Sequence, residues 1–310
     1  MILSYTVPES GEGRTVYSIL RREFDASAAL VRRLKQCGGV FVDGVPAYTV
    51  RRLVPGEVVT ADISAAEPPC DIEPEDGPPD VIYEDDGLIA VNKPAGMIVH
   101  PSRARFTGTQ ANYVAGYLLK NGEAPVCHAV NRIDRDTSGV VLYSKNSYMK
   151  ARASASLASG GAHKEYLALV CGAPPEAAGT IDLPIKRLTE GDMFRAVAPD
   201  GQRAVTHYEL LGTAQTAYGA VSLLRFRLET GRTHQIRVHC LALGMPILGD
   251  GLYSSDESKA LSTQLGLTAQ QLHAHRLSFT EPLSGRALNL TAEIVRADMK
   301  DIIETLGFGY

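Results

Sequence analysis

Long apolar runs are missing from this 310-residue sequence, and none approaches the ~20 residues that a helix needs to cross a bilayer. The opening residues Met1-Ile-Leu-Ser-Tyr-Thr have neither the basic flank nor the apolar stretch of a secretory signal, so a cytoplasmic location is expected. Cysteine is scarce and scattered. Cys37, Cys70, Cys127, Cys171 and Cys240 are odd in number and far apart, which suits neither a disulfide framework nor the close pairs of a zinc site, and they are expected to be reduced thiols of the core. Also absent are a glycine-rich phosphate loop, a dinucleotide-binding fingerprint and metal ligands at helical spacing, so no nucleotide, redox cofactor or metal is expected. Apolar residues at 45% and charged residues at 21% exclude collagen-like and wholly disordered chains.

A surplus of basic charge is missing too, since the formal net charge is −4. The average hides its distribution. Residues 67–87 hold nine acidic and no basic side chains, and the remainder carries a net +5. A basic, nucleic-acid-facing surface therefore remains open, provided the acidic stretch points elsewhere.

That stretch begins with five prolines between Glu67 and Pro79, which deny it helix and interior-strand pairing, and its like charges extend it. It is read as a linker over 67–80, dividing a small part, 1–66, from a large one, 81–310. In the small part, Val16 to Phe24 and Ser27 to Gln36 read as helices, with Ser27 as N-cap and Gly38 as stop. A hairpin turning at Asp43-Gly44 follows, then a strand within Val54 to Ile63. In the large part, Thr109 caps a helix Gln110–Lys120 and Ser147 one over Tyr148–Leu157. Strands are expected at Val81–Asn92 as a pair, Val140–Lys145, His163–Val170, Ala204–Leu211 and Val221–Glu229, with a final hairpin of Ala274–Phe279 and Ala287–Val295. The expected class is α+β, with a mixed, largely antiparallel central sheet flanked by helices.

Three stretches carry chemistry-bearing residues. Asn131-Arg-Ile-Asp-Arg-Asp-Thr-Ser-Gly139 is either a solvated turn or a placed carboxylate: Asp134 stands between Arg132 and Arg135, and an arginine within ~4–6 Å lowers a carboxyl pKa by roughly 1–3. Thr230-Gly-Arg-Thr-His-Gln-Ile-Arg-Val-His239 opens a helix that Thr233 can cap and Gly244 and Pro246 close. On it His234, Arg237 and Leu241 share one face, toward a cleft, and Ile236, Cys240 and Leu243 another, toward the core. His234 and His239 are five apart, not the four that sets two metal ligands on one face. Tyr166, within His163-Lys-Glu-Tyr-Leu-Ala-Leu-Val170, is a core tyrosine or a site residue, on the strand face of Lys164, Ala168 and Val170. Arg32, Arg33 and Lys35 form a solvated or a phosphate-contacting helix face.

Together these stretches resemble the RNA pseudouridine synthases, specifically the RluA/RluD group with an appended S-four-type RNA-binding domain. Residues 14–63 look like that small domain. Tyr83 to Pro101 resembles the group's opening motif, 132–139 its catalytic motif, Lys164-Glu-Tyr-Leu-Ala its tyrosine motif, 231–239 its arginine motif, and Gly249-Asp-Gly-Leu-Tyr253 follows in place. The resemblance implies Asp134 as the essential aspartate, Tyr166 as the active-site tyrosine, Arg237 as the arginine pairing with Asp134, and Arg132 as the side chain that fills the space of a displaced base. Asn131 and Ile133 depart from the histidine and leucine common there. The implied activity is isomerisation of uridine to pseudouridine in structured RNA, ribosomal RNA of the large subunit first and transfer RNA second, without cofactor, metal or membrane. Two other readings are a non-catalytic RNA-binding or ribosome-assembly factor, and a hydrolase pairing Asp134 with a second carboxylate.

Overall fold

The computed structural model describes residues 1–102, 105–189 and 193–310. Local signals account for many of its elements. Thr15 Oγ1 accepts from Ser18 N and Ser27 Oγ from Leu30 N, opening helices Val16–Arg22 and Ala28–Cys37, and Gly38 ends the second in a left-handed conformation. Thr109 and Asn112 form a capping box at helix Gln110–Lys120. Helix Ser147–Ala158 is capped not by Ser147 but by Asn146, whose Oδ1 accepts from Met149 N at 2.8 Å.

Residues 2–62 build a four-stranded antiparallel sheet in the order Ile2–Thr6, Val58–Asp62, Val40–Val42, Val45–Pro46. The rest builds a ten-stranded sheet. Its main path runs Ala178–Asp182, Val205–Thr216, Gly219–Leu228, His163–Cys171, Leu272–Thr280, Ser138–Ser144, Leu88–Lys93, Val81–Glu84. Among the described residues the one parallel pairing joins His273 and Ala274 to Ser138 and Gly139. Gly139 makes it possible: its φ is +113°, and a Cβ there would lie 2.2 Å from the Ala274 carbonyl oxygen.

The strands Leu88–Lys93 and Ser138–Ser144 are buried along their whole length because both faces are covered. Leu88, Ala90, Val140 and Leu142 face a core shared with Leu20, Phe24, Val31, Tyr148 and Met149, so the small sheet and helix Ser147–Ala158 pack as one body with the large sheet. Tyr148 donates to the Phe24 carbonyl at 2.7 Å, and Arg33 donates to Ala66 O at 2.8 Å and Ser147 Oγ at 3.2 Å. Ile89, Val91, Val141 and Tyr143 face the opposite way, onto helix Gln110–Lys120.

The acidic proline-rich stretch has no helix or strand from 67 to 80, yet it is no free tether. Ile72 is buried beside helix Gln110–Lys120, Asn112 Nδ2 donates to Glu73 O at 2.8 Å, and Glu75 N donates to Asn112 O at 3.0 Å. A Cβ at Gly116 would sit 2.0 Å from Glu75 O, so this helix position admits only glycine under the strap. At the strap's start Glu67 bonds His128 Nε2 at 2.8 Å and accepts from Ser147 N and Oγ, both at 2.8 Å. Like charge extends the stretch, and backbone pairing to a neighbouring helix then fixes it. The cysteines are all free, but only Cys127 and Cys240 are buried; Cys70 and Cys171 are half-buried and Cys37 is exposed. No helix among the described residues is long and apolar enough to cross a membrane.

Candidate active site

A cleft of about 660 Å³ opens between the loop before strand Ser138–Ser144, the start of strand His163–Cys171, helix Ser147–Ala158 and the loop leading into helix Gln235–Ala242. Asn131, Arg132, Asp134, Lys164, Tyr166, Arg232, His234 and Arg237 all line it. Two of the sequence stretches thus meet over a third, and the acidic strap contributes no residue to the lining.

Asp134 stands in a turn closed by Thr137 N on its carbonyl at 3.2 Å. Neighbours in space set this loop. Asn131 Oδ1 accepts from Leu142 N at 2.7 Å and its Nδ2 donates to Val140 O at 3.2 Å, so an amide at this position staples the loop to strand Ser138–Ser144. On the other side the buried Lys93 donates to Pro94 O at 2.8 Å, Met97 O at 2.7 Å and Arg135 O at 2.9 Å. The three carbonyls match the three N–H bonds of an ammonium. Burial pulls Lys93 down to about 7, against the opposing charges of Asp136 and Asp134.

The arginines beside Asp134 in sequence are not its partners. Arg135 turns to Asp136, with Nε and Nη2 each 3.0 Å from a carboxylate oxygen, and Arg132 is exposed with no hydrogen bond or ion pair among the described residues. The partner is Arg237, whose Nη1 donates to Asp134 Oδ2 at 2.9 Å. Asp134 Oδ1 makes no hydrogen bond among the described residues and is left to the cleft.

Arg237 is 7% exposed. Its Nε and Nη2 donate to Asp250 Oδ2 and Oδ1 at 2.7 and 2.9 Å, a bidentate pair. The Asp250 side chain is fully buried and also accepts from Leu252 N at 2.9 Å and Tyr253 N at 3.0 Å. Burial works against the guanidinium charge, but Asp250 and then Asp134 outweigh it and hold Arg237 above its ordinary pKa. The Tyr253 ring lies under the guanidinium, 5.0 Å from its carbon.

The turn into the helix departs from the sequence reading. Thr233 is not the cap: His234 occupies that place at φ +59°, without a side-chain capping bond. Gln235 locks the turn instead, accepting from Thr230 Oγ1 at 2.8 Å and Arg232 N at 2.9 Å and donating to Val205 O at 3.0 Å. The left-handed residue aims His234 into the cleft, where Nε2 is 3.8 Å from Asp134 Oδ2 and Nδ1 is 2.9 Å from the Tyr253 hydroxyl. That hydroxyl accepts from Arg195 N at 2.8 Å, so its own proton goes to Nδ1 and the imidazole N–H sits on Nε2, toward Asp134. Burial keeps His234 below its ordinary pKa and therefore neutral at pH 7. Leu243 is 36% exposed and does not join Ile236 and Cys240 in the core, because the helix ends at Ala242.

Tyr166 faces the cleft floor, and burial followed by the charge of Asp134 pushes its hydroxyl far above the usual tyrosine range. It stays protonated. His239 is a structural residue, bonded to Thr206 Oγ1 and Leu183 O at 2.9 Å each, and no cluster of metal-ligating side chains occurs among the described residues. Asp134 is the sole carboxylate in the described lining, with Asp250 behind Arg237, so the second acid of a glycosidase pair is missing. On helix Ala28–Cys37, Arg32 and Lys35 are exposed around a hollow with Tyr17, Val31 and Gln36, and neither is paired among the described residues; Arg33 is committed to the joint with helix Ser147–Ala158.

Sequence reasoning turned His234 toward the cleft without giving it a role, and it gave none to Asp250, Tyr253 or Lys93. The signal for Asp250 was an acidic residue between Gly249 and Gly251, a turn whose carboxylate also accepts backbone N–H groups.

Known proteins resemble the chain in sequence and in fold. The family model described as RNA pseudouridylate synthase matches residues 87–242. The chain is 36% identical to the ribosomal large subunit pseudouridine synthase D of Zymomonas mobilis, over 84% of this chain and 82% of that protein. It is 33% identical to the uncharacterized RNA pseudouridine synthase YhcT of Bacillus subtilis, over 98% and 97%. The solved human RNA Pseudouridylate Synthase Domain Containing 4 superposes with a TM-score of 0.60 at 25% identity, covering 74% of this chain and 94% of that one.

Proposed function

Because the chain belongs to the RNA pseudouridine synthase family, we propose that it isomerises specific uridines of large-subunit ribosomal RNA, with Asp134 as the covalent catalyst. One observation carries the reading: Asp134 faces the cleft with one oxygen held by Arg237 and the other unengaged. Its relatives that are named for the ribosomal large subunit support the choice of RNA. A cytoplasmic location goes with that substrate.

In the reaction the bond from ribose C1′ to uracil N1 breaks, the base turns, and C1′ bonds to C5. The C5 proton is lost and N1 gains one, so the composition is unchanged. The target nucleotide must leave its stack, at a few kcal/mol. Arg132, unpaired at the rim, offsets this by stacking its planar guanidinium in the vacated space. Asp134 Oδ1 bonds transiently to the nucleotide, at the ribose or on the uracil ring, and that bond breaks again as the product forms, while Arg237, anchored from behind by Asp250, fixes the carboxylate. Tyr166 packs against the uracil face. His234 offers a neutral N–H beside the carboxylate. The charge swing of the reaction is met by groups already in place, so little reorganisation is needed.

Residues 1–66 act, in this proposal, as an S-four-type RNA-binding module joined by the strap 67–80 to the catalytic part 81–310, with Arg32 and Lys35 on phosphates and Arg33 holding the module to helix Ser147–Ala158. A non-catalytic binding factor is not favoured, since the paired aspartate and arginine would then serve no purpose. Mapping pseudouridines across total RNA from cells with and without the gene tests the function. A ribosomal site lost only in the deletion strain is expected; an unchanged map contradicts the proposal.

A further inference from the structure

Lys164 is a half-buried lysine of the cleft that makes no hydrogen bond and no ion pair among the described residues. The other lysines of comparable or greater burial are satisfied: Lys93 by three carbonyls, and Lys145 by Glu84 at 2.7 Å and Glu123 at 2.9 Å. Desolvation weakens the charged form of Lys164, and no acidic neighbour compensates. An uncompensated ammonium at this depth costs stability, so the fold gains nothing from it in the free protein.

Its place in the site is defined. Lys164 is two residues before Tyr166 on the same strand face, and its Nζ lies 3.6 Å from the point where Gly231 would carry a Cβ. The ammonium therefore rests against the loop that presents Arg232 and His234. Arg232 donates Nε to Arg203 O at 3.1 Å and leaves its two terminal nitrogens unengaged among the described residues. Around them the cleft holds Arg132, Arg232, Arg237 and Lys164 against the single carboxylate Asp134, which Arg237 neutralises. The uncancelled charge is positive: Lys164 and Arg232 carry it on the Gly231 side of the cleft, and Arg132 on the aspartate loop.

We propose that Lys164 and Arg232 form an anion subsite for a backbone phosphodiester of the RNA strand at the everted nucleotide. The inference rests on the pseudouridine synthase reading and adds the contact that holds the nucleotide's phosphate while its base turns over Tyr166. A fixed phosphate keeps the ribose in reach of Asp134 once the base has lost its bond to the sugar. Lysine suits this place because one compact charge on a flexible stem follows the phosphate as the strand seats.

The test uses the full chain and an unmodified large-subunit ribosomal RNA transcript. Lys164→Gln is expected to raise KM about tenfold and change kcat by less than about threefold. It should also reduce the slope of log Kd against log salt by about one phosphate contact. Lys164→Arg should restore both. Lys164→Met, an apolar side chain of similar length, should repeat the glutamine result and replaces it if that variant has a lowered thermal midpoint. An unchanged KM and salt slope in Lys164→Gln would overturn the subsite, as would a loss confined to kcat. A wild-type chain that converts no uridine in any such transcript overturns the parent reading instead, and the salt slope then judges the phosphate contact by itself.

Discussion

Asp250→Asn is the perturbation whose outcome follows most completely from the geometry. Asp250 Oδ2 takes Arg237 Nε, and Oδ1 takes Arg237 Nη2 together with the backbone N–H groups of Leu252 and Tyr253. An asparagine that keeps its oxygen at the Oδ1 place saves three of these four bonds and sets an NH2 donor against the Nε–H donor. The reverse orientation loses three. Either way the buried guanidinium has one carboxylate left, Asp134, which is itself a cleft residue. Removing one partner of a buried ion pair costs about 3–5 kcal/mol, and the smaller value applies because three bonds survive. A loss of about 3 kcal/mol lowers the thermal midpoint by roughly 5 °C in a chain of 310 residues. Turnover should suffer further. Freed from its anchor, Arg237 moves relative to Asp134, and a displacement near 1 Å at a reacting group costs roughly a hundredfold. RNA affinity should stay unchanged, since Asp250 does not line the cleft. Thermal unfolding, filter binding and pseudouridine formation below the variant's midpoint check the three parts. A variant within about 0.5 kcal/mol of wild type and with full turnover would refute the claim that Asp250 sets Arg237.

The remaining predictions concern the supports of the site. Gly139→Ala would drive a Cβ to 2.2 Å from the Ala274 carbonyl oxygen at a φ of +113°, so it should cost more than about 4 kcal/mol and yield little folded protein in thermal unfolding. His273 donates Nε2–H to Ala292 O at 2.9 Å and takes the Ser138 hydroxyl on Nδ1 at 2.9 Å. Burial holds its pKa down to about 4 against an ordinary 6.5. The unfolded chain therefore binds the extra proton first, so the contribution of His273 is complete above pH 6.5 and is lost as pH falls toward 4, by about 3 kcal/mol. Denaturation across that range should show the acid limb in wild type and a flatter one in His273→Gln. Replacing both Arg32 and Lys35 with alanine should weaken RNA binding and lower its salt slope by one to two contacts, leaving kcat at saturating RNA unchanged.

Which residues meet in the cleft was largely legible because each of its stretches is short and local. Asp134, Tyr166 and Arg237 each lie in a run of polar residues against an apolar strand or helix, and such runs mark themselves. Which arginine meets Asp134 is a different matter. Charge proximity along the chain pointed to Arg132 and Arg135, and Arg237 was named only by the family resemblance; the turn at Asp134 sends Arg135 to Asp136 and leaves Arg132 at the rim. Contacts across 103 residues, such as Arg237 to Asp134, are set by strand pairing that no local pattern encodes. The same reason hid strand Ile2–Thr6, which exists only by pairing with Val58–Asp62. Helix Asp256–Gln264 escaped because its core-facing side offers little beyond Leu261. The strap was legible in composition but not in position, since its anchoring is by backbone bonds to Asn112 and by the missing side chain of Gly116. The left-handed His234 was illegible in kind. A residue placed against its own backbone preference leaves no propensity signal, and the departure marks the site itself.

Asp134→Asn is the substitution to measure first, with pseudouridine formation and RNA affinity read on one preparation. It keeps the shape of the side chain and can still accept a hydrogen bond from Arg237, while removing the nucleophilic charge. Loss of all detectable isomerisation with RNA affinity within about threefold of wild type is the predicted result. Isomerisation at the wild-type rate would contradict the account at its root.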